Sequence, residues 1–257
     1  MLITHPGPSV TSLVEGRNAV LEALRAGVEF DRILVVRDAD RSKAIDEILS
    51  AACDRAIKVA EVPRGQLDAL SVRGAHQGVV AEVAPFGYTT IADVLARVED
   101  EEQALIIALD HITDPQNLGA VARTAEVVGA KCLLIPSKRS ATVGPAAMKV
   151  SAGALAHLPV AKETNLVRAL EQCKDAGFWV AGASETADQD VWDAPLEGRI
   201  VVVLGAEDSG LSRLVEERCD FLVGLPVAGE VGSLNVAQAA TAIAFEWVRR
   251  QRFSQGS

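Results

Sequence analysis

The chain has 257 residues and a formal net charge of −10, with 49% hydrophobic but only 4% aromatic residues. That length and apolar content suit a globular protein of one or two domains, packed with Ala, Val, Leu and Ile, whose core needs neither disulfides nor a structural metal. No apolar run approaches the ~20 residues of a membrane span. No basic stretch followed by an apolar one opens the sequence as a signal peptide would, and the four Cys and four His are scattered without a CxxC pair, which argues against zinc and for free thiols in a reducing cytoplasm.

From Gly16, "GRNAVLEALRAG" reads as a helix stopped by Gly27. "RILVVR" follows as a short buried strand. "RSKAIDEILSAACDR" is a second helix with Ile45, Ile48, Leu49 and Ala52 on one face. A strand "IKVAEVP", a short helix "RGQLDALS" and a strand "QGVVAEVAP" complete a small α/β sandwich over residues 1–84. "PFGYTT" has linker chemistry, and with the acidic helical stretch "IADVLARVEDEEQ" it makes a connection over 85–103.

From Ala104 the pattern restarts, as a second domain over 104–252 with a tail at 253–257. "ALIIALD" leads to "DPQNLGAVARTAE" and a helix stopping near Gly129. "AKCLLIP" leads to a basic loop and a helix through "AAMKVSAGAL". "LPVAK" leads to the helix "NLVRALEQCKDAG", and "FWVAGAS" to a turn-rich stretch. "RIVVVLG" leads to "AEDSGLSRLVEERC", and "FLVGLPV" to a last helix "NVAQAATAIAFEWVRRQ". Short apolar strands alternating with helices predict an α/β fold with a mostly parallel sheet covered on both faces.

Net acidity taken alone argues against a nucleic-acid partner. The charge is uneven, however. No Asp or Glu occurs from Val127 to Ala161, a stretch holding Lys131, Lys138, Arg139 and Lys149. As a pattern, this cationic loop is equally a flexible solvated one.

No standard nucleotide fingerprint is present. "GAEDSG" has Walker-type glycine spacing, but Leu211 stands where the phosphate-binding Lys belongs, and no G-x-G-x-x-G opens a βαβ unit. Polar residues cluster instead after apolar strands: Asn117 and Arg123 after the first, Glu207 after "RIVVVLG", Ser233 and Asn235 after "FLVGLPV". In open α/β sheets ligands bind outside the carboxyl ends of strands, so these groups can form one pocket. Each also has a plainer role. Asn117, Ser233 or Asn235 can cap a helix, and Glu207 can favour a helix N-terminus. Arg123 lies about 140° around its helix from Leu118, on the solvent side.

In order, "DPQNLGAVARTAEVVGA", "VVVLGAEDSGLS" and "LPVAGEVGSLNVAQAATAIAFE" resemble the three motifs of SpoU-type RNA ribose 2′-O-methyltransferases of the SPOUT superfamily. "VEGRNAVLEAL" and "HQGVVAEV" are similar to the start and end of the family's N-terminal substrate-binding domain, and the layout looks most like the bacterial 23S ribosomal RNA guanosine branch. The resemblance implies a deep trefoil knot in the C-terminal domain, a homodimer, and S-adenosylmethionine bound mostly by backbone groups. Matching motif positions place that cofactor against Gly205, Leu225 and Leu234, with the strand end at Gly182 and Ala183 also lining it.

The implied reaction moves a methyl group to a ribose 2′-hydroxyl, with no metal. Asn117, Arg123, Glu207, Ser233 and Asn235 match the catalytic motif residues. A cationic Arg123 would hold phosphate and stabilise the developing alkoxide. Asn117 and Glu207 would fix its guanidinium, and Ser233 and Asn235 would position the cofactor's polar end or the ribose. A transfer-RNA ribose methyltransferase and a non-catalytic RNA-binding protein are the competing readings.

Overall fold

The computed structural model describes residues 12–37, 42–71, 74–230 and 232–254. The chain divides into two compact units. One extends to Gly87 and takes in Gly144–Lys149; the other comprises Tyr88–Val143 and the chain from Val150 onward.

The first unit holds β1 (Ser12–Glu15), α1 (Arg17–Arg25), β2 (Phe30–Val36), α2 (Lys43–Asp54), β3 (Val59–Val62), α3 (Arg64–Leu70) and β4 (Val79–Val83). The sheet order is β1-β4-β2-β3, parallel only between β2 and β3. Alternation along β2 divides the core. Ile33 and Val35 pack with Leu24, Ile45 and Ile48 of α1 and α2, while Leu34 packs with Leu67 of α3. The α2 helix starts where Ser42 Oγ accepts from the Ile45 amide. Sequence reading overlooked β1, because four residues are too few for alternation to declare itself.

The second unit holds α4 (Ile91–Arg97), β5 (Ala104–Leu109), α5 (Pro115–Val127), β6 (Cys132–Pro136), the last residue of α6 (Pro145–Val150, grouped up to Lys149 with the other unit), β7 (Val160–Glu163), α7 (Leu166–Asp175), β8 (Trp179–Ala183), β9 (Arg199–Leu204), α8 (Arg213–Glu216), β10 (Phe221–Val223) and α9 (Val236–Ser254). Six strands lie in the order β10-β8-β9-β5-β6-β7, and every pairing is parallel. All their carboxyl ends therefore share one edge.

Every residue of β5 is buried, as a parallel strand covered on both sides requires. Ile106 and Ala108 pack with Val94 of α4, Leu170 of α7 and Val215 of α8. The opposite face carries α5 and α9, joined by a Thr124–Thr241 hydroxyl contact of 2.8 Å.

Two sequence expectations need correction. Residues 85–103 were expected to be a connection, yet Ile91, Val94 and Val98 are buried in the second unit's core. The apolar spacing of this one short helix was masked by the acidic run after it. The helix expected through "AAMKVSAGAL" ends at Val150. Ala152 and Gly153 take φ of 50° and 95°, which break it, and a 3-10 turn follows over Ala154–Ala156.

Candidate active site

The carboxyl ends of β8, β9 and β10 open into a cleft of about 360 Å³, within the range of small-molecule sites. Its apolar wall includes Leu204, Leu211, Val223, Leu225, Val236 and Ile243. Among the described residues its ionisable lining consists of four carboxylates, Glu185, Glu207, Asp208 and Glu216, with no Lys, Arg or His. Such a cleft suits a ligand that combines apolar surface with positive charge. Leu234 and Val227 on its wall are 48% and 49% exposed, apolar surface available to a ligand.

Gly205 explains how the β9 end closes around this space. A Cβ there would sit 2.1 Å from the Gly210 carbonyl carbon. The backbone folds back so tightly that Ala206 N donates to Gly210 O at 3.1 Å and Gly210 N to Ala206 O at 2.8 Å. The turn's far end is pinned by Asp110, which directly follows β5 and is 1% exposed. Its carboxylate accepts from Ser212 N at 2.7 Å and lies 2.7 Å from His111 Nδ1. Sequence reasoning missed Asp110; an aspartate closing the apolar run "ALIIALD" was the available signal.

Three of the sequence-derived residues meet at the tip of this turn. Asn117 Nδ2 donates to Glu207 Oε1 at 3.0 Å, and Asn235 Nδ2 donates to the same oxygen at 2.5 Å and to Asn117 Oδ1 at 3.0 Å. Asn235 also caps α9, its Oδ1 accepting from Ala237 N at 2.9 Å. Asn117 is not the cap of α5. Asp114 takes that role, accepting from Gln116 N at 2.9 Å with Pro115 in the first turn. The first turn of α5, the turn after β9 and the entry to α9 thus each contribute one side chain to a single network.

The other two residues stand apart. Ser233 lines the cleft, exposed and with no side-chain hydrogen bond among the described residues. Arg123 is exposed on α5, outside the cleft lining, and makes no ion pair among the described residues. Asn117 and Glu207 bond each other and Asn235 rather than its guanidinium, contrary to the division of labour expected from sequence.

All four expected cofactor contacts, Ala183, Gly205, Leu225 and Leu234, line the cleft. Gly182 does not; a Cβ there would press within 2.8 Å of Cys219, Leu211 and Leu222, so its role is packing. Ser184, Glu185 and Thr186 complete the lining after β8 and were read from sequence only as turn residues. Burial pushes the thiol pKa of Cys132, Cys173 and the half-buried Cys219 up to about 12, which makes all three poor nucleophiles. Among the described residues no three His, Cys, Asp or Glu side chains converge as a metal site would need.

Residues 104–245 match the model of the SpoU rRNA methylase family, and residues 13–89 that of RNA 2′-O ribose methyltransferase substrate binding. The chain is 44% identical over 249 residues to an uncharacterised tRNA/rRNA methyltransferase of Mycolicibacterium vanbaalenii, covering 96% of this chain and 79% of that one. A relative of the same name from Mycobacterium ulcerans is 43% identical, with 94% and 78% covered. Among solved structures, the chain is similar to the SpoU methyltransferase AviRb from Streptomyces viridochromogenes in complex with AdoMet, at 29% identity and TM-score 0.64, over 94% of this chain and 90% of that one. A putative RNA methyltransferase of the TrmH family from Porphyromonas gingivalis shares 26% identity at TM-score 0.61, over 93% and 90%.

Proposed function

Because the chain belongs to the SpoU family of RNA 2′-O-ribose methyltransferases, we propose that it methylates a guanosine ribose of 23S ribosomal RNA. It is an S-adenosylmethionine-dependent enzyme acting on RNA. The specific target rests on the two-region layout, in which a family substrate-binding domain precedes the methylase domain. A transfer-RNA target is the second reading, favoured by the double tRNA/rRNA name of the relatives.

The cleft fits the cofactor. S-adenosylmethionine carries a sulfonium, an ammonium and a carboxylate, a net charge of +1, with a flat adenine face, and the lining offers four carboxylates on apolar walls. Ala183, Gly205, Leu225 and Leu234 would hold it. The cofactor supplies an activated methyl group; the chain must orient the ribose oxygen and manage its proton.

In the proposed mechanism Asn117, Glu207 and Asn235 hold three connections in fixed register, so that the cleft is formed before RNA arrives. Ser233 is left free to bond the cofactor's polar end or the ribose. Arg123 stays cationic and stabilises negative charge developing on the 2′-oxygen while gripping an adjacent phosphate. The proton leaves to phosphate or water. The first unit selects the RNA. The enzyme acts as a homodimer, supported by Val127 of α5 and Phe245 of α9, which remain 62% and 48% exposed on two helices that pack together. The family's trefoil knot belongs to this reading of the second unit.

The observation that carries the reading is the convergence of Asn117, Glu207 and Asn235 beside an acidic, partly apolar cleft. The test is a ribose-methylation map of cellular RNA with and without the gene. Loss of one 23S guanosine methylation supports the target. Loss confined to transfer RNA moves it there, and an unchanged map refutes both.

A further inference from the structure

The carboxyl edge of the parallel sheet is divided by charge. On the β9 side of β5 lies the cleft with its four carboxylates. On the other side β6 ends in the segment Ser137–Ala141, carrying Lys138 and Arg139, both exposed. The chain around that segment has no acid between Val127 and Ala161, although the whole protein has a net charge of −10.

The cations of this stretch have different fates. Lys131 is engaged by Glu101 at 2.5 Å. Lys138 and Arg139 form no hydrogen bond or ion pair with a side chain among the described residues, and neither does Arg123 on the neighbouring α5. The segment is held at both ends. Ser137 N donates to Glu163 O at 2.7 Å, and Ala141 N donates to Ile112 O at 2.7 Å, in the turn that leads into α5. Between these anchors Arg139 adopts φ 51°, a left-handed conformation that costs a non-glycine residue about 1 kcal/mol or more. An unpaired arginine held in that conformation, on a segment fastened to the α5 entry, has no structural duty that a glycine would not perform better.

We infer that Lys138 and Arg139 bind two backbone phosphates of the substrate RNA next to the target nucleotide, as RNA-positioning residues. The inference rests on the RNA methyltransferase reading above and deepens it by assigning the RNA path on the second unit. The acidic cleft attracts a cationic small molecule and repels RNA; the β6 segment does the reverse. The two ligands are thereby steered to opposite sides of the β5–α5 turn. Phosphate contacts of this kind fix register and orientation rather than sequence.

The test uses the full chain and total RNA from cells lacking its gene. Single-turnover methylation is measured against RNA concentration at several KCl concentrations, beside calorimetry with S-adenosylmethionine and thermal melting. The variants are Lys138→Ala with Arg139→Ala, Arg139→Gly alone, and Arg168→Ala on α7 as a control for loss of one exposed charge. The double variant is expected to raise the apparent KM for RNA about tenfold or more. It should also flatten the slope of log(kcat/KM) against log[KCl] by about 1.4, the value for two single-stranded phosphates. The rate at saturating RNA, the cofactor affinity and the melting temperature should stay unchanged. Arg139→Gly should lose part of the RNA affinity without lowering the melting temperature, an outcome a purely structural Arg139 would not give. Arg168→Ala should match the wild type. If wild type methylates RNA and the double variant keeps its KM and salt slope, the inference falls while the functional reading stands. If the wild type binds the cofactor but methylates no RNA, both fall.

Discussion

Asn235 Nδ2 lies 2.5 Å from Glu207 Oε1 and thereby ties the start of α9 to the turn after β9, with Asn117 of α5 completing the triangle. Glu207 serves this network as an acceptor and the cleft as a charge, and two substitutions separate those roles. Glu207→Gln keeps a carbonyl oxygen for the two amides but removes the charge. It should fold normally and weaken S-adenosylmethionine binding several-fold. Glu207→Ala leaves both Asn amides without their shared acceptor and should lose methyl transfer by about a hundredfold, the scale for a displaced preorganised group. Calorimetry and single-turnover assays read the two effects. Equal behaviour of Gln and Ala would refute the scaffolding role.

Gly205→Ala should be among the most damaging single changes in the second unit. The added methyl would meet backbone atoms of Gly210 at 2.1 Å, and backbone cannot swing aside as a side chain can. Overpacking typically costs about 1–3 kcal/mol, which corresponds to a melting-temperature loss on the order of 3–10 °C in a chain of this size. Cofactor binding should disappear with it, because the turn lines the cleft. A variant with unchanged melting and calorimetry would show that the turn relaxes freely.

The legible and illegible parts of this chain differ for physical reasons. Fully apolar strands such as "ALIIAL" and "RIVVVL" declared a parallel sheet, because a strand covered on both faces has nothing polar to hide. The order β8-β9-β5 and the polar triangle were not legible in the same way. They depend on which connections cross, and no local pattern encodes that. Asn117, Glu207 and Asn235 were legible as candidates from their places after apolar strands and from motif resemblance, but their mutual hydrogen bonds were not. Asp110, Glu185 and Glu216 each read as an ordinary acidic residue at the end of an element, and only the fold brings them to the turn or the cleft. Arg123 was expected at the cleft and is found outside its lining.

The acidic lining predicts a salt effect on cofactor binding, measurable without RNA. S-adenosylmethionine, with its sulfonium, should bind more tightly than the demethylated product, whose sulfur is neutral. The difference should narrow as KCl rises, since exposed charges are screened beyond about 10 Å at 0.1 M and about 3 Å at 1 M. Titration calorimetry of both ligands at two salt concentrations reads this directly. Equal affinities at low salt would mean that the four carboxylates do not discriminate the cationic sulfur.

A truncated chain should begin at Tyr88 rather than after α4. Thr89 N donates to Val160 O at 3.0 Å and Lys162 N to Thr89 O at 3.1 Å, Tyr88 Oη accepts from Val143 N at 2.9 Å, and Ile91 is fully buried. Such a chain should keep cofactor binding and lose most RNA methylation, if the first unit selects the substrate. Retained activity with unchanged site choice would contradict that assignment. Loss of cofactor binding would show instead that the second unit needs the first to fold.

Arg123 provides the sharpest test of the catalytic reading, because its position admits three outcomes. It is exposed, unpaired among the described residues, and next in sequence to Thr124, which joins α5 to α9. If it stabilises charge developing on the ribose oxygen, Arg123→Ala should reduce single-turnover methyl transfer about a hundredfold or more. Cofactor affinity should stay within a few-fold and the melting temperature should not change. Arg123→Lys should restore little, since a point ammonium lacks the planar fork that grips phosphate and hydroxyl together. A solvated surface residue would instead leave all three quantities untouched. A structural anchor would lower melting temperature and cofactor affinity along with activity. Exposure without an ion pair argues against the anchor, so the decision lies between a silent mutation and a selective loss of methyl transfer. Measuring rate, affinity and melting on the same two variants makes that decision.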